Sequence, residues 1–149
     1  MDEININGVF LTPLKKIYHP KGDIFHGMKK SDAGFAGFGE AYFSTIKGGQ
    51  IKGWNKHTRM TLNLVVPIGT VAFVLYDGRE GSSMESSFCK IEIGRDNYHR
   101  LTVPPGVWLG FMGKSNDTNL ILNIADMEHD PYEIERLDLD QINYNWDFA

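Results

Sequence analysis

The chain has a single cysteine, Cys89, among 149 residues. No internal disulfide framework is open to it, so a hydrophobic core has to hold the fold. It also lacks any apolar run approaching the roughly 18 residues needed to cross a bilayer. Its first stretch, MDEININGVF, is polar and acidic where a secretory signal would be basic and then apolar. Clustered positive charge is missing as well: the net charge is −4 and the pI about 5.7. The only basic pairs, Lys15–Lys16 and Lys29–Lys30, are ordinary surface, which excludes the basic face that nucleic-acid binding requires. Together these absences predict a soluble cytoplasmic protein with one buried thiol and neither a membrane nor a nucleic-acid partner. Phosphate-bearing substrates stay open, because a few local cations hold a phosphate whatever the net charge.

Helical periodicity is scarce too. Short β-type segments recur at 39–47, 49–54, 60–68, 70–77, 86–93, 99–104, 107–113 and 118–125. The breaks between them, GG, PIG, DGREGSS, GRDN, PPG and GKSND, supply Gly, Pro, Asn or Asp for turn geometry. Closely spaced strands without intervening helices predict an antiparallel sandwich or barrel. Only 130–142, DPYEIERLDLDQI, has helix-like spacing, with Ile134, Leu137 and Leu139 placed to cover one end of a barrel. Residues 1–38 form an irregular arm that cannot make a core alone and could lend edge strands to a neighbouring subunit. No linker or repeat divides the chain, so residues 1–149 read as one domain.

The stretch KGWNKHTRMT (52–61) sets a lone histidine between two strand-like runs. Small β-barrels that hold metal through histidines often belong to the cupins. Their first motif runs glycine, five residues, His-x-His, three or four residues, Glu, six residues, glycine. Gly49, Asn55, Lys56, His57, Leu62 and Gly69 are similar to that frame in spacing. The second motif, Pro-x-Gly-x-x-His, falls on Pro104 to Leu109. The turn residues match and the ligands do not, because Asn55, Leu62 and Leu109 stand where three of four ligands belong. A divalent transition metal generally needs at least three ligands from His, Cys or carboxylate. The resemblance therefore implies an all-β cupin (a double-stranded β-helix or jelly-roll barrel) with a short C-terminal helix, no metal and no other cofactor. His57 is left for acid–base work.

The motifs point further. IKGWNKHTRMTLNLVVPIGTVAFVLYDGR resembles the sugar-nucleotide cupins, namely the dTDP-4-dehydrorhamnose 3,5-epimerases and the dTDP-4-keto-6-deoxyhexose 3,4-ketoisomerases. Lys52-Gly53-Trp54-Asn55 stands for the epimerases' Arg-Gly-x-His, and His57 for the second histidine of the ketoisomerases' Arg-Gly-x-His-x-His. LTVPPGVWLGFMGKS (101–115), HPKGDIF (19–25) and the acidic, aromatic close HDPYEIERLDLDQINYNW are similar to further stretches of the same family. The resemblance runs from about residue 12 to 146, and it is the order and spacing of the motifs together that make it specific.

This family's chemistry implies a base, a donor or cation for an enolate oxygen, and an acid, all acting next to the ketone of a 4-keto sugar. His57 fits the base, since imidazole ordinarily titrates near pH 6.5. Asn55 can donate its amide N–H to the enolate oxygen but cannot serve as the base. Lys52 can hold a phosphate or the oxyanion as a point charge. The family's tyrosine acid falls on Asn123 or His129, according to the alignment, and His129 or Tyr42 could replace it. Lys21 and Arg79 are candidates for the diphosphate. Trp54 and Trp108 are either stacking platforms or core, and Glu40 is a candidate to orient His57 from the neighbouring strand.

Two function classes compete. One is an isomerase or epimerase of a dTDP-linked 4-keto-deoxyhexose in surface-polysaccharide synthesis. The other is a sugar-nucleotide-binding cupin without catalysis. A homodimer with exchanged arm strands is expected in either case.

Overall fold

The computed structural model describes residues 2–79 and 87–147. Four short strands come first: β1 (Asp2–Glu3), β2 (Phe10–Pro13), β3 (Lys16–Ile17) and β4 (Ile24–Phe25). The longer ones follow as β5 (Glu40–Lys47), β6 (Ile51–His57), β7 (Leu62–Ile68) and β8 (Thr70–Asp77). Then come β9 (Ser87–Gly94), β10 (His99–Val103), β11 (Trp108–Gly113) and β12 (Thr118–Ala125). These eight longer strands fall on the eight predicted segments, with β6 continuing through His57. The turn read at DGREGSS lies partly outside the described residues.

Two antiparallel sheets face each other. One has the order β1-β2-β10-β7-β12-β5; the other joins β6, β11, β8 and β9 in that order. Alternation along the strands sends Leu62, Leu64 and Val66 of β7, and Phe73 and Leu75 of β8, into the space between the sheets. This is the jelly-roll arrangement of a cupin barrel. At two of the tight turns the backbone requires glycine: Gly69 (φ 81°) and Gly106 (φ 89°) occupy the left-handed region.

The segment read as a helix over 130–142 is extended instead. Ile134–Arg136 forms β13, antiparallel to β6, with Ile134 opposite His57 and Arg136 opposite Asn55. A single 3-10 turn, Leu139–Gln141, follows, and no α-helix is present among the described residues. The open edge of β6 offered unpaired backbone groups, and pairing with them outweighed a weak local helical preference. Two further bonds, Trp54 N–H to Leu137 O at 2.9 Å and Leu137 N–H to Trp54 O at 3.0 Å, extend that contact.

The arm is tied to its own barrel. β2 pairs with β10, while β3 and β4 make a small hairpin. Arg100, with 0% exposure, points out from β10 and gathers the loop at 27–33. It donates to Gly27 O at 2.9 Å, to Ala33 O at 2.9 Å and to Asp32 Oδ2 at 3.3 Å. Burial pulls the guanidinium below its ordinary range even though Asp32 works in the other direction.

Candidate active site

Between the sheets lies a cavity of about 210 Å³. Leu62, Leu64, Phe73, Leu109, Phe111 and Ile121 make its apolar floor, and polar side chains gather on two facing walls. Leu62 and Leu109, the residues in the cupin ligand positions, are thus part of a greasy surface. Among the described residues no group of three or more His, Cys, Asp or Glu side chains is placed to hold a metal ion.

β6 supplies one wall with Lys52, Asn55 and His57. On a regular strand Lys52 and Asn55, three apart, would face opposite sides. A bulge reconciles them. Leu109 of β11 pairs with Asn55 and Phe111 pairs with Lys52, so Gly53 and Trp54 together oppose Gly110 alone. The extra residue restores the parity. Lys52, Asn55 and His57 meet the cavity while Trp54 and Lys56 turn outward. The Gly53–Trp54 peptide within the bulge is cis.

His57 is oriented by Glu133, just ahead of β13. Its Nδ1 is hydrogen-bonded to Glu133 Oε1, and the carboxylate is 1% exposed. Glu133 Oε2 accepts the backbone N–H groups of Arg59 at 3.2 Å and Met60 at 3.1 Å. Burial is the largest influence on this carboxyl and pushes it up. The bonds from His57, Arg59 and Met60, with the charge on His57, outweigh burial and hold the group below its ordinary value of 4.5. A carboxylate only accepts, so His57 Nδ1 carries the proton. When the ring is neutral, the other nitrogen, Nε2, holds the lone pair. A histidine fixed in this tautomer is a general base.

The facing wall belongs to the other sheet. Tyr42 and Ser44 come from β5 and Asn123 from β12. Asn123 Nδ2 donates to the Tyr42 hydroxyl oxygen at 3.1 Å. Tyr42 is 42% exposed, so it stands at the mouth. Lys52 also reaches toward this side, its Nζ donating to Thr45 O at 2.7 Å.

The cavity therefore assembles His57, Asn55, Lys52 and Tyr42 and leaves the other candidates outside. Glu40 accepts the backbone N–H of His129, so this pair is engaged with each other and neither orients His57. Trp54 is 0% exposed on the outer face of its sheet, against Trp146 with ring centres 5.3 Å apart. Trp108 shares that outer layer beneath Lys56 Nζ, 5.0 Å from its ring centre. Trp54 is core, and Trp108 packs half-buried against the same cluster. Arg79 is bound to Asp77 Oδ1 at 2.9 Å and donates to Asn7 O at 2.7 Å, which fastens the chain's first turns. Lys21 sits in the exposed β3–β4 turn, where its N–H meets His19 Nδ1 at 3.0 Å. Sequence reasoning passed over Glu133, because nothing in the acidic run EHDPYEIERLDLD separates it from Glu128 or Glu135 before β13 is known to lie beside His57.

A two-sheet barrel with an acid–base wall and an apolar floor places the chain among the cupins that carry out proton-transfer chemistry. No protein-family model matches it. A solved dTDP-sugar isomerase from Desulfovibrio desulfuricans G20 is 34% identical, over 100% of this chain and 97% of that one, with a TM-score of 0.94. The chain belongs to this family of dTDP-sugar isomerases and epimerases. It is also 26% identical to the spore coat polysaccharide biosynthesis protein SpsL of Bacillus subtilis, over 95% of this chain and 96% of that protein. With the probable low-salt glycan biosynthesis epimerase Agl13 of Haloferax volcanii it shares 27% identity over 106 residues. That match covers 70% of this chain and 66% of the archaeal protein, just under two thirds of its length.

Proposed function

We propose that the protein is a sugar-nucleotide isomerase or epimerase. Its substrate is a dTDP-linked 4-keto-deoxyhexose, and its place is in surface-polysaccharide synthesis. The observation that carries this reading is His57, held at Nδ1 by the buried Glu133 and lining an apolar cavity. Nε2 takes a proton from the carbon next to the ketone, and the C–H electron pair becomes the enolate double bond. Negative charge moves to the former carbonyl oxygen, where the Asn55 amide and the Lys52 ammonium stabilise it. Tyr42 returns a proton to carbon from the opposite wall. Because base and acid come from facing sheets, inversion at one carbon is favoured over keto migration, which a single base on one face can perform.

The test is incubation in D₂O with 4-keto sugar nucleotides, followed by NMR of the ring positions. We expect deuterium at one carbon flanking the ketone. Binding without any exchange would replace this reading with a non-catalytic sugar-nucleotide-binding cupin.

The active form is a homodimer. Phe43 and Phe38, each 66% exposed, and Ile68, 48% exposed, lie about the outer face of the six-stranded sheet. They adjoin an apolar groove formed by Met28, Phe35, Leu122 and Ile124. Apolar surface of this kind marks an association face. Light scattering is expected to give twice 16.9 kDa, and a monomer across micromolar concentrations would refute it. A cytoplasmic location is supported by the proposed nucleotide-linked substrate and by the free Cys89 thiol. No helix among the described residues is long and apolar enough to cross a membrane.

A further inference from the structure

Asn123 and Tyr42 sit directly opposite each other on paired strands. Asn123 is 2% exposed and shares its wall of the cavity with Tyr42 and Ser44, beside a floor of aliphatic and aromatic groups. Burying an amide there is costly unless both of its ends are bonded, and both are. The backbone N–H of Asn63 donates to Asn123 Oδ1 at 3.2 Å. A backbone N–H can only donate, so the oxygen of Asn123 must face Asn63 and the NH₂ must face Tyr42. The Asn63 residue that sets this direction is itself held on both sides. Its Oδ1 accepts from Thr102 Oγ1 at 2.6 Å, and its Nδ2 donates to Gly34 O at 3.1 Å.

We infer that Asn123 is a positioning residue that makes Tyr42 a proton donor toward the sugar. A phenol has one proton and can accept as well as donate. When Asn123 fills the accepting site, the hydroxyl proton has to point elsewhere, and the cavity is where the substrate lies. This rests on the reading of Tyr42 as the acid, and it adds what aims that acid: an amide whose own orientation is dictated by backbone.

Asn123→Asp is the discriminating substitution. Size and the acceptor for Asn63 are kept, but the second carboxylate oxygen now accepts the Tyr42 proton, so the hydrogen bond reverses. We expect kcat to fall about 10²-fold with KM unchanged, because binding contacts stay in place. The double variant Tyr42→Phe/Asn123→Asp is expected to be no worse than Tyr42→Phe alone, since both lesions remove one donor. In protein labelled at tyrosine ¹³Cζ, the resonance missing from Tyr42→Phe is expected to move in Asn123→Asp.

If Tyr42→Phe is slow but Asn123→Asp turns over normally, the Asn123 inference fails while the Tyr42 reading stands. If Tyr42→Phe itself is unimpaired, Tyr42 is not the acid and both are overturned. Losses that multiply in the double variant would show that Asn123 acts by another route. An unmoved resonance would disprove the hydrogen bond independently of turnover. Should Asn123→Asp not fold, Asn123→Leu, which cannot anchor the hydroxyl, has to show the same kcat loss and the same lack of additivity for the inference to hold.

Discussion

Glu133→Gln is expected to cost about as much turnover as removing the base itself, on the order of 10⁴-fold in kcat, as when a carboxylate that fixes a catalytic tautomer becomes an amide. The local hydrogen bonds decide this. The backbone N–H groups of Arg59 and Met60 donate toward one end of the Glu133 side chain, so they would select the carbonyl oxygen of a glutamine. The NH₂ end would then face His57 Nδ1, which could only accept from it. That moves the histidine proton to Nε2 and leaves no lone pair for the substrate. Deuterium exchange into a 4-keto sugar nucleotide would measure the effect, with KM expected to change little. A Glu133→Gln protein exchanging within tenfold of wild type would mean that His57 does not act as the base.

The same substitution has a signature in stability. The Glu133 carboxyl sits below its ordinary value of 4.5 in the folded chain. Its contribution is therefore complete above that pH and is lost as pH falls through the depressed folded value. Urea denaturation on the acid side of 4.5 is expected to show wild type weakening with falling pH more steeply than Glu133→Gln does.

Arg100→Met should give the largest loss of stability, about 3 kcal/mol or more, since bonds made by a buried charged donor are worth roughly 1.5–3 kcal/mol each. Methionine fills the space beneath the arm but leaves Gly27 O, Ala33 O and Asp32 Oδ2 without the donor they share. Asp32→Asn should cost less, because both carbonyls keep their partner. The readout is the urea midpoint, and hydrogen exchange should localise the opening to residues 26–34. The groove residue Met28 belongs to this tract and Phe35 follows it directly, so self-association should weaken together with folding. A midpoint shift equivalent to less than about 1 kcal/mol would show that the arm is held by other contacts.

How much of this was legible in the sequence follows from the range of the forces involved. Alternation and turn residues act locally, so all eight longer strands could be read. The segment at 130–142 could not, because its conformation depends on an edge of β6 far away in sequence. The motif frame singled out His57, Asn55 and Lys52, which line the cavity, whereas no motif carried Tyr42, whose place on the facing wall depends on the pairing of β5 with β12. Glu133 was hidden by the wrong conformation assigned to its segment. Trp54 stayed open between stacking platform and core, since its side relative to Lys52 depends on the count of residues against β11. Glu40 was a fair choice by proximity in sequence, but the backbone of His129 occupies it.

The bulge in β6 implies an unequal tolerance to change. Exchanging the chemical groups at 52, 55 or 57 alters what the pocket can do and leaves the barrel standing. Deleting Lys56, where the strand is regular, would instead carry the His57 imidazole to the far side of the sheet, whereas losing one residue between 52 and 55 would only remove the bulge and keep Lys52 and Asn55 on the pocket side. Along this strand the count of residues is forgiving at the bulge and strict beyond it, while the identities at 52, 55 and 57 are free to drift toward new reactivity.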